Sequence, residues 1–157
     1  TERLTEQARI QQQISNLQHE LQLRRDALKR VLNQRLELNK KMQEALLTKK
    51  KEEKIPDWAQ QFIDSNIFST DEQWEEFFNE FNGCYGNLLK QLQRDYPRLT
   101  STDTQVLALY VLGLDNSDIC LLMGLTQRTI WSRRMRIKAR VGLGEKESLD
   151  KWLEECV

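Results

Sequence analysis

The sequence predicts an all-α protein, with a long N-terminal coiled-coil helix followed by a helical domain. Three observations carry that expectation. Residues 1–54 contain neither Pro nor Gly and repeat apolar residues at steps of four and three. Aromatic residues between Trp74 and Phe81 recur at helical spacing. From Leu99 onward, cap residues and glycines punctuate short segments that each have one apolar face.

The first segment is rich in Gln, Leu, Arg, Glu, Lys and Asn, mostly good helix formers. Ile10, Ile14, Leu17, Leu21, Leu28, Val31, Leu38, Met42 and Ala45 fall on one a/d series, with Arg24 and Arg35 in two of its slots. Nine of the twelve slots from Gln7 to Ala45 are apolar, and a 3.5-residue period over five heptads signals a left-handed coiled coil. Forty-five such residues would reach roughly 68 Å. So narrow a stripe calls for a second helix, most simply a homodimer through residues 7–45. In a parallel pair Glu20 at g faces Arg25 at e; the pattern leaves antiparallel and trimeric assemblies open. Arg24 and Arg35 either fix register at some cost in stability or snorkel out of the seam. The segment closes on Lys49-Lys50-Lys51-Glu52-Glu53-Lys54, which reads as a solvated hinge.

The chain has 157 residues, 24 basic against 24 acidic, one His and three Cys. Its neutrality is a sum of patches: +5 over 1–54, −5 over 55–99, +3 over 100–143 and −3 over 144–157. No apolar run approaches the 18 residues of a membrane span. Cys84, Cys120 and Cys156 are odd in number and widely spaced, which suits a reducing compartment better than a disulfide framework or zinc site. The organisation reads as 1–54, a coiled-coil dimerisation helix; 55–98, an acidic aromatic-rich helical segment; and 99–157, a second helical domain with a C-terminal helix.

In the middle segment Pro56 suits a helix start, and Trp58, Phe62 and Ile63 share a face. Thr70 and Gln73 have capping-box spacing. Trp74, Phe77, Phe78 and Phe81 then form an aromatic stripe that reads as core. Asn82-Gly83 is expected to break that helix, and the next carries Tyr85, Leu88, Leu89 and Leu92 up to Tyr96-Pro97.

Function is concentrated further on. Thr100 or Ser101 caps a helix with Val106, Leu107, Leu109 and Tyr110 inward, and Gly113 stops it. Asp115-Asn116-Ser117 cap a short helix carrying Ile119, Leu121 and Leu122. Gly124 turns the chain, and Thr126 caps a helix over 127–141 with Ile130, Ile137 and Val141 inward. Short helix, glycine turn and longer helix make a helix-turn-helix pattern. Between Thr126 and Leu143 lie six basic residues and no acid: Arg128, Arg133, Arg134, Arg136, Lys138 and Arg140. Clustered cations are what phosphate neutralisation on a duplex requires. Residues 145–157 read as one more amphipathic helix, with Leu149, Trp152 and Leu153 covering the core.

Residues 99–143 resemble the LuxR/GerE-type helix-turn-helix of bacterial transcription regulators. The resemblance rests on Leu99-Thr100 with Asp103, Val106-Leu107, Gly113-Leu114, Ile119, Leu122, Gly124-Leu125-Thr126, Thr129-Ile130 and Val141-Gly142-Leu143. The segment from Trp74 through Phe81 to Tyr96-Pro97-Arg98-Leu99-Thr100 is similar to a subgroup with a coiled coil before this domain. Members of that subgroup often carry sensory repeats and a membrane helix upstream. The resemblance therefore implies a cytoplasmic C-terminal part of a longer protein, with an upstream sensory domain or membrane segment. Departures from the family are Asp103 for its usual Glu, Cys120 for a small Ala, and Trp131 where polar residues are common.

Position on the second helix assigns base reading to Arg128, Trp131, Ser132 and Met135. It assigns phosphate contact to Thr126, Gln127, Thr129, Arg133, Arg136 and Lys138, with Arg134 and Arg140 as candidates to pair with acids of the 55–99 block. The expected partner of residues 99–157, read as a helix-turn-helix DNA-binding domain with a C-terminal helix, is double-stranded DNA. The acidic block is further expected to pack over the recognition surface until an upstream signal rearranges the coil. The alternative function is a coiled-coil protein–protein assembly module without DNA binding. Catalysis is not expected: His19 is isolated, and no phosphate loop or nucleophile motif occurs. No cofactor or metal is implied.

Overall fold

The computed structural model describes residues 2–47 and 71–157. Among these residues the chain forms seven helices and no strand: α1 (Glu2–Leu47), α2 (Asp71–Cys84), α3 (Leu88–Asp95), α4 (Ser101–Val111), α5 (Asn116–Met123), α6 (Gln127–Arg140) and α7 (Leu149–Cys156). The expected lysine hinge at 49–54, the helix start at Pro56 with Trp58, Phe62 and Ile63, and the Thr70 cap lie outside the described residues.

The long helix is present, but its buried face differs from the one expected. Residues 2–20 are exposed on every side. Further along, Leu28, Leu32 and Leu36 are buried against the chain's own C-terminal domain. There α1 packs on α5 and α2. Leu32 and Leu36 follow Leu28 at steps of four, so they lie off the a/d series and form a second stripe beside it. A narrow seam facing only a partner helix is therefore not the whole account, because half of α1 finds its partner within the chain. The d line is left outside: Ile10, Leu17, Val31 and Leu38 are all exposed. Polar contacts pin the docked half. Arg25 Nε donates to the Cys84 carbonyl at 2.7 Å, with its guanidinium 4.4 Å from the centre of the Tyr85 ring. Asn39 Nδ2 donates to the Leu121 carbonyl at 3.5 Å, and Lys40 Nζ lies 3.7 Å from Asp118. At the slot given to Arg24, the side chain is exposed and reaches Glu80 at 3.5 Å. Arg35 is half-buried.

The aromatic stripe of α2 is core, as its spacing predicts. Phe81 is fully buried and Phe77 nearly so. Ring centroids step from Trp74 to Phe77 at 5.7 Å, Phe77 to Phe81 at 6.2 Å and Phe81 to Tyr85 at 4.6 Å. Asn82-Gly83 does not break this helix. The buried Asn82 side chain donates back to the Phe78 carbonyl at 3.0 Å, and its Oδ1 accepts from the Leu89 amide at 3.0 Å. Its amide satisfies both the end of α2 and the start of α3, so the chain turns later, where Gly86 and Asn87 have φ of 63° and 62°. Tyr85 thus lies in the turn rather than in α3.

Helices α4 to α7 build the C-terminal core, with Val106, Leu107, Leu109, Ile119, Leu122, Ile130 and Ile137 completely excluded from solvent. Each contributes about 1.5–3 kcal/mol of burial. Thr100 and Asp103 form a reciprocal capping box on α4, and Asp115 and Asp118 form another on α5. Between α5 and α6, Gly124 takes φ of 67°, a left-handed position costly for any residue with a Cβ. The last helix begins at Leu149, later than expected, because Ser148 caps it by accepting from Lys151 N. It packs on α4, with Trp152 edge-on to Tyr96 at 5.7 Å.

Candidate nucleic-acid interface

Two isoleucines fix which way α6 faces. Ile130 and Ile137 are completely buried and point at the core. Arg128, Trp131, Ser132 and Met135 are related by steps of three and four, so they share the opposite face. Trp131 is 63% exposed, and Arg128 and Arg136 are also exposed. At the N-terminus Thr126 Oγ1 accepts from the Thr129 amide at 3.1 Å, which caps the helix. The two hydroxyls lie 2.8 Å apart. Gln127 Nε2 donates to Ser117 Oγ at 3.1 Å and so ties the start of α6 to the start of α5. Thr126, Gln127 and Arg128 form an exposed edge beside amides that favour an anion.

The other cations of α6 are held within the protein. Asp103 is completely buried, and its carboxylate accepts from the Thr100 amide at 3.0 Å, from Arg133 Nη1 at 3.5 Å and from Arg140 Nη1. Arg133 is therefore turned toward Asp103, and among the described residues its Nε is buried without a hydrogen-bond partner. Arg134 sits 5.0 Å from the centre of the Tyr110 ring and 3.5 Å from Asp150. Burial alone would lower its pKa, but Tyr110 and Asp150 outweigh this and raise it. Tyr110 in turn donates from its hydroxyl to Asn116 Oδ1, and burial pushes that phenol above its ordinary value. Lys138 Nζ donates to the Glu145 carbonyl at 2.9 Å and stays at the surface.

Arg134 and Arg140 do pair with acids, but with Asp150 and Asp103 rather than with the 55–99 block. The acidic helix α2 packs on α1 and α3, so among the described residues it does not lie over α6. Thr126, Gln127, Arg128, Trp131 and Arg136 are brought together as an open surface, flanked by the half-buried Thr129, Ser132, Met135 and Lys138.

Asp103 is the residue whose part here was missed. Its position gave a signal: Val106 and Leu107, three and four residues on, are core, so an acid on that face needs a cation. No family model, curated protein or solved structure matches the chain. Among the described residues no helix is long and apolar enough to cross a membrane.

Proposed function

We propose that this chain is a DNA-binding transcription regulator of the LuxR/GerE helix-turn-helix type. It dimerises through α1 and reads the major groove with α6. The observation that carries this reading is how the cations of α6 are divided. Arg133, Arg134 and Arg140 fix the helix from behind, while Arg128, Trp131, Ser132 and Met135 share the face opposite the buried isoleucines. A helix held rigidly and presented with an open cationic face suits insertion into a groove about 12 Å wide. Arg128 and Trp131 read base edges in this scheme, the latter against thymine methyl groups. Thr126, Gln127, Arg136 and Lys138 meet phosphates. Two such helices joined by a coil would address two half-sites about one helical turn apart.

Selection of bound duplexes from a random pool tests the proposal. It should return a two-fold-related sequence. Failure to enrich any sequence, with equal retention of unrelated duplexes, would count against it. One observation favours the assembly reading instead: the exposed apolar line Ile10, Ile14 and Leu17 on a stretch, residues 2–20, that is exposed throughout. A complex that forms through α1 with no duplex affinity would support that alternative.

A further inference from the structure

The heptad pattern of α1 continues past the point where the helix is docked. With Ile14, Leu21 and Leu28 at a, the d residues Val31 and Leu38 are 55% and 48% exposed, although Leu28 beside them is buried within the chain. Nearer the N-terminus both lines are open: Ile10 and Leu17 at d and Ile14 at a are all exposed. A knobs-into-holes seam needs both lines, because each knob enters a hole formed by four residues of the facing helix. With the domain docked, two copies can coil together over residues 7–21 and no further. The next d slot, Arg24, is turned toward α2, with Nη2 3.5 Å from Glu80, and the next a slot is the packed Leu28. Across the open part, a parallel pair sets Glu6 against Gln11, Gln13 against Gln18 and Glu20 against Arg25, so no like charges are opposed.

Leu28 can be a core residue of its own chain or a knob in a partner helix, not both. The other two leucines that docking buries, Leu32 and Leu36, fall at e and b, off the seam. In a longer coil Arg24 and Arg35 would occupy core slots and face their own copies, which costs stability and leaves docking as the resting state. We infer that the occupant of the open half of α1 is a second copy of this chain, paired over residues 7–21, and that this coil lengthens toward Leu38 only when α2 and α5 release Leu28. Self-association and docking thus compete for one face of α1. By linkage, whatever tightens the coil loosens the domain, and the reverse. The inference rests on the reading of α1 as a homodimer helix and is independent of DNA.

Sedimentation equilibrium of the full 157-residue chain tests this with variants that separate the two uses of the helix. Leu32→Gln with Leu36→Gln removes docking surface and keeps every a and d residue, so the dimer should tighten about tenfold. Adding Val31→Gln and Leu38→Gln to that variant should return the dissociation constant to the wild-type value. On the wild-type background the same d-line pair should change it by less than about twofold, because the resting coil ends before Val31. Hydrogen exchange of α6 and α7 verifies that the domain stays folded in each variant. A wild-type dimer weakened about tenfold by Val31→Gln and Leu38→Gln would show the long coil already formed and overturn the inference, whatever the docking variant does. Failure of the Leu32→Gln, Leu36→Gln chain to tighten, or tightening that survives loss of the d line, would overturn it too. Leu17→Glu separates the inference from its premise. Association indifferent to Leu17→Glu would remove the homodimer reading itself. A dimer broken by Leu17→Glu but indifferent to Leu32 and Leu36 would keep that reading and overturn the competition alone.

Discussion

Asp103 organises more of the candidate interface than any other side chain. It closes the cap of α4 and holds Arg133 and Arg140 of α6 with the same buried carboxylate. Removing one member of such a cluster leaves buried charge uncompensated, so Asp103→Ala should cost about 3–5 kcal/mol in chemical denaturation. A loss below about 1 kcal/mol would mean that the arginines find water instead. The outer face answers to different rules. Arg128→Ala should relax preference at one base position, a discrimination of about 1–3 kcal/mol, whereas Arg136→Ala should weaken all duplexes alike. A competition series over single-base variants distinguishes the two. The caps at Thr100, Asp115 and Thr126 were legible because each spans only three residues of sequence. The Asp103–Arg140 pair was not, since 37 residues separate its members and either could have met another partner.

Helix α1 has two apolar faces, one docked and one exposed. Leu28, Leu32 and Leu36 hold it to α2 and α5, while the d line from Ile10 to Leu38 stays open. Leu32→Ala should weaken the docking by about 2–5 kcal/mol, since Leu32 is completely buried. Hydrogen exchange would then speed up over residues 25–40 and stay unchanged in α6 and α7; unchanged exchange over residues 25–40 would contradict the docked arrangement. Leu17→Glu, on the exposed stretch, should leave exchange alone and shift sedimentation toward monomer. The length and helicity of α1 were plain from its lack of Pro and Gly. Its docked face is hidden in the sequence because two stripes share Leu28, and the exposed a/d stripe is the longer and more regular of the two. The break expected at Asn82-Gly83 was misplaced for a similar reason. Local turn propensity there is overridden by an amide that the core satisfies on both sides.

Among the described residues, a long helix is fastened by its second half to a small helical domain, with basic side chains of α1 and α6 meeting acids of α2, α5 and α7. Burial raises the pKa of the Cys84, Cys120 and Cys156 thiols and of the Tyr85 and Tyr110 phenols. A raised folded-state pKa favours the protonated form in the native state. That contribution is therefore fully present at neutral pH and lost as pH rises past the ordinary thiol and phenol ranges, about 8.5 to 10. Thermal melts should hold steady near neutrality and decline above that window; a decline already at pH 7–8 would require another group. Among the described residues the compensated charge pattern also leaves few cations of α6 outside ion pairs. Arg128, Arg136 and Lys138 are the α6 cations not drawn into ion pairs with the chain's own acids.

The most direct measurement is the dependence of duplex affinity on salt. Three cations per protomer, in a dimer, give a slope of log affinity against log salt of about −5. A slope near zero, with affinity indifferent to Arg128→Ala and Arg136→Ala, would show that α6 does not meet a phosphate backbone.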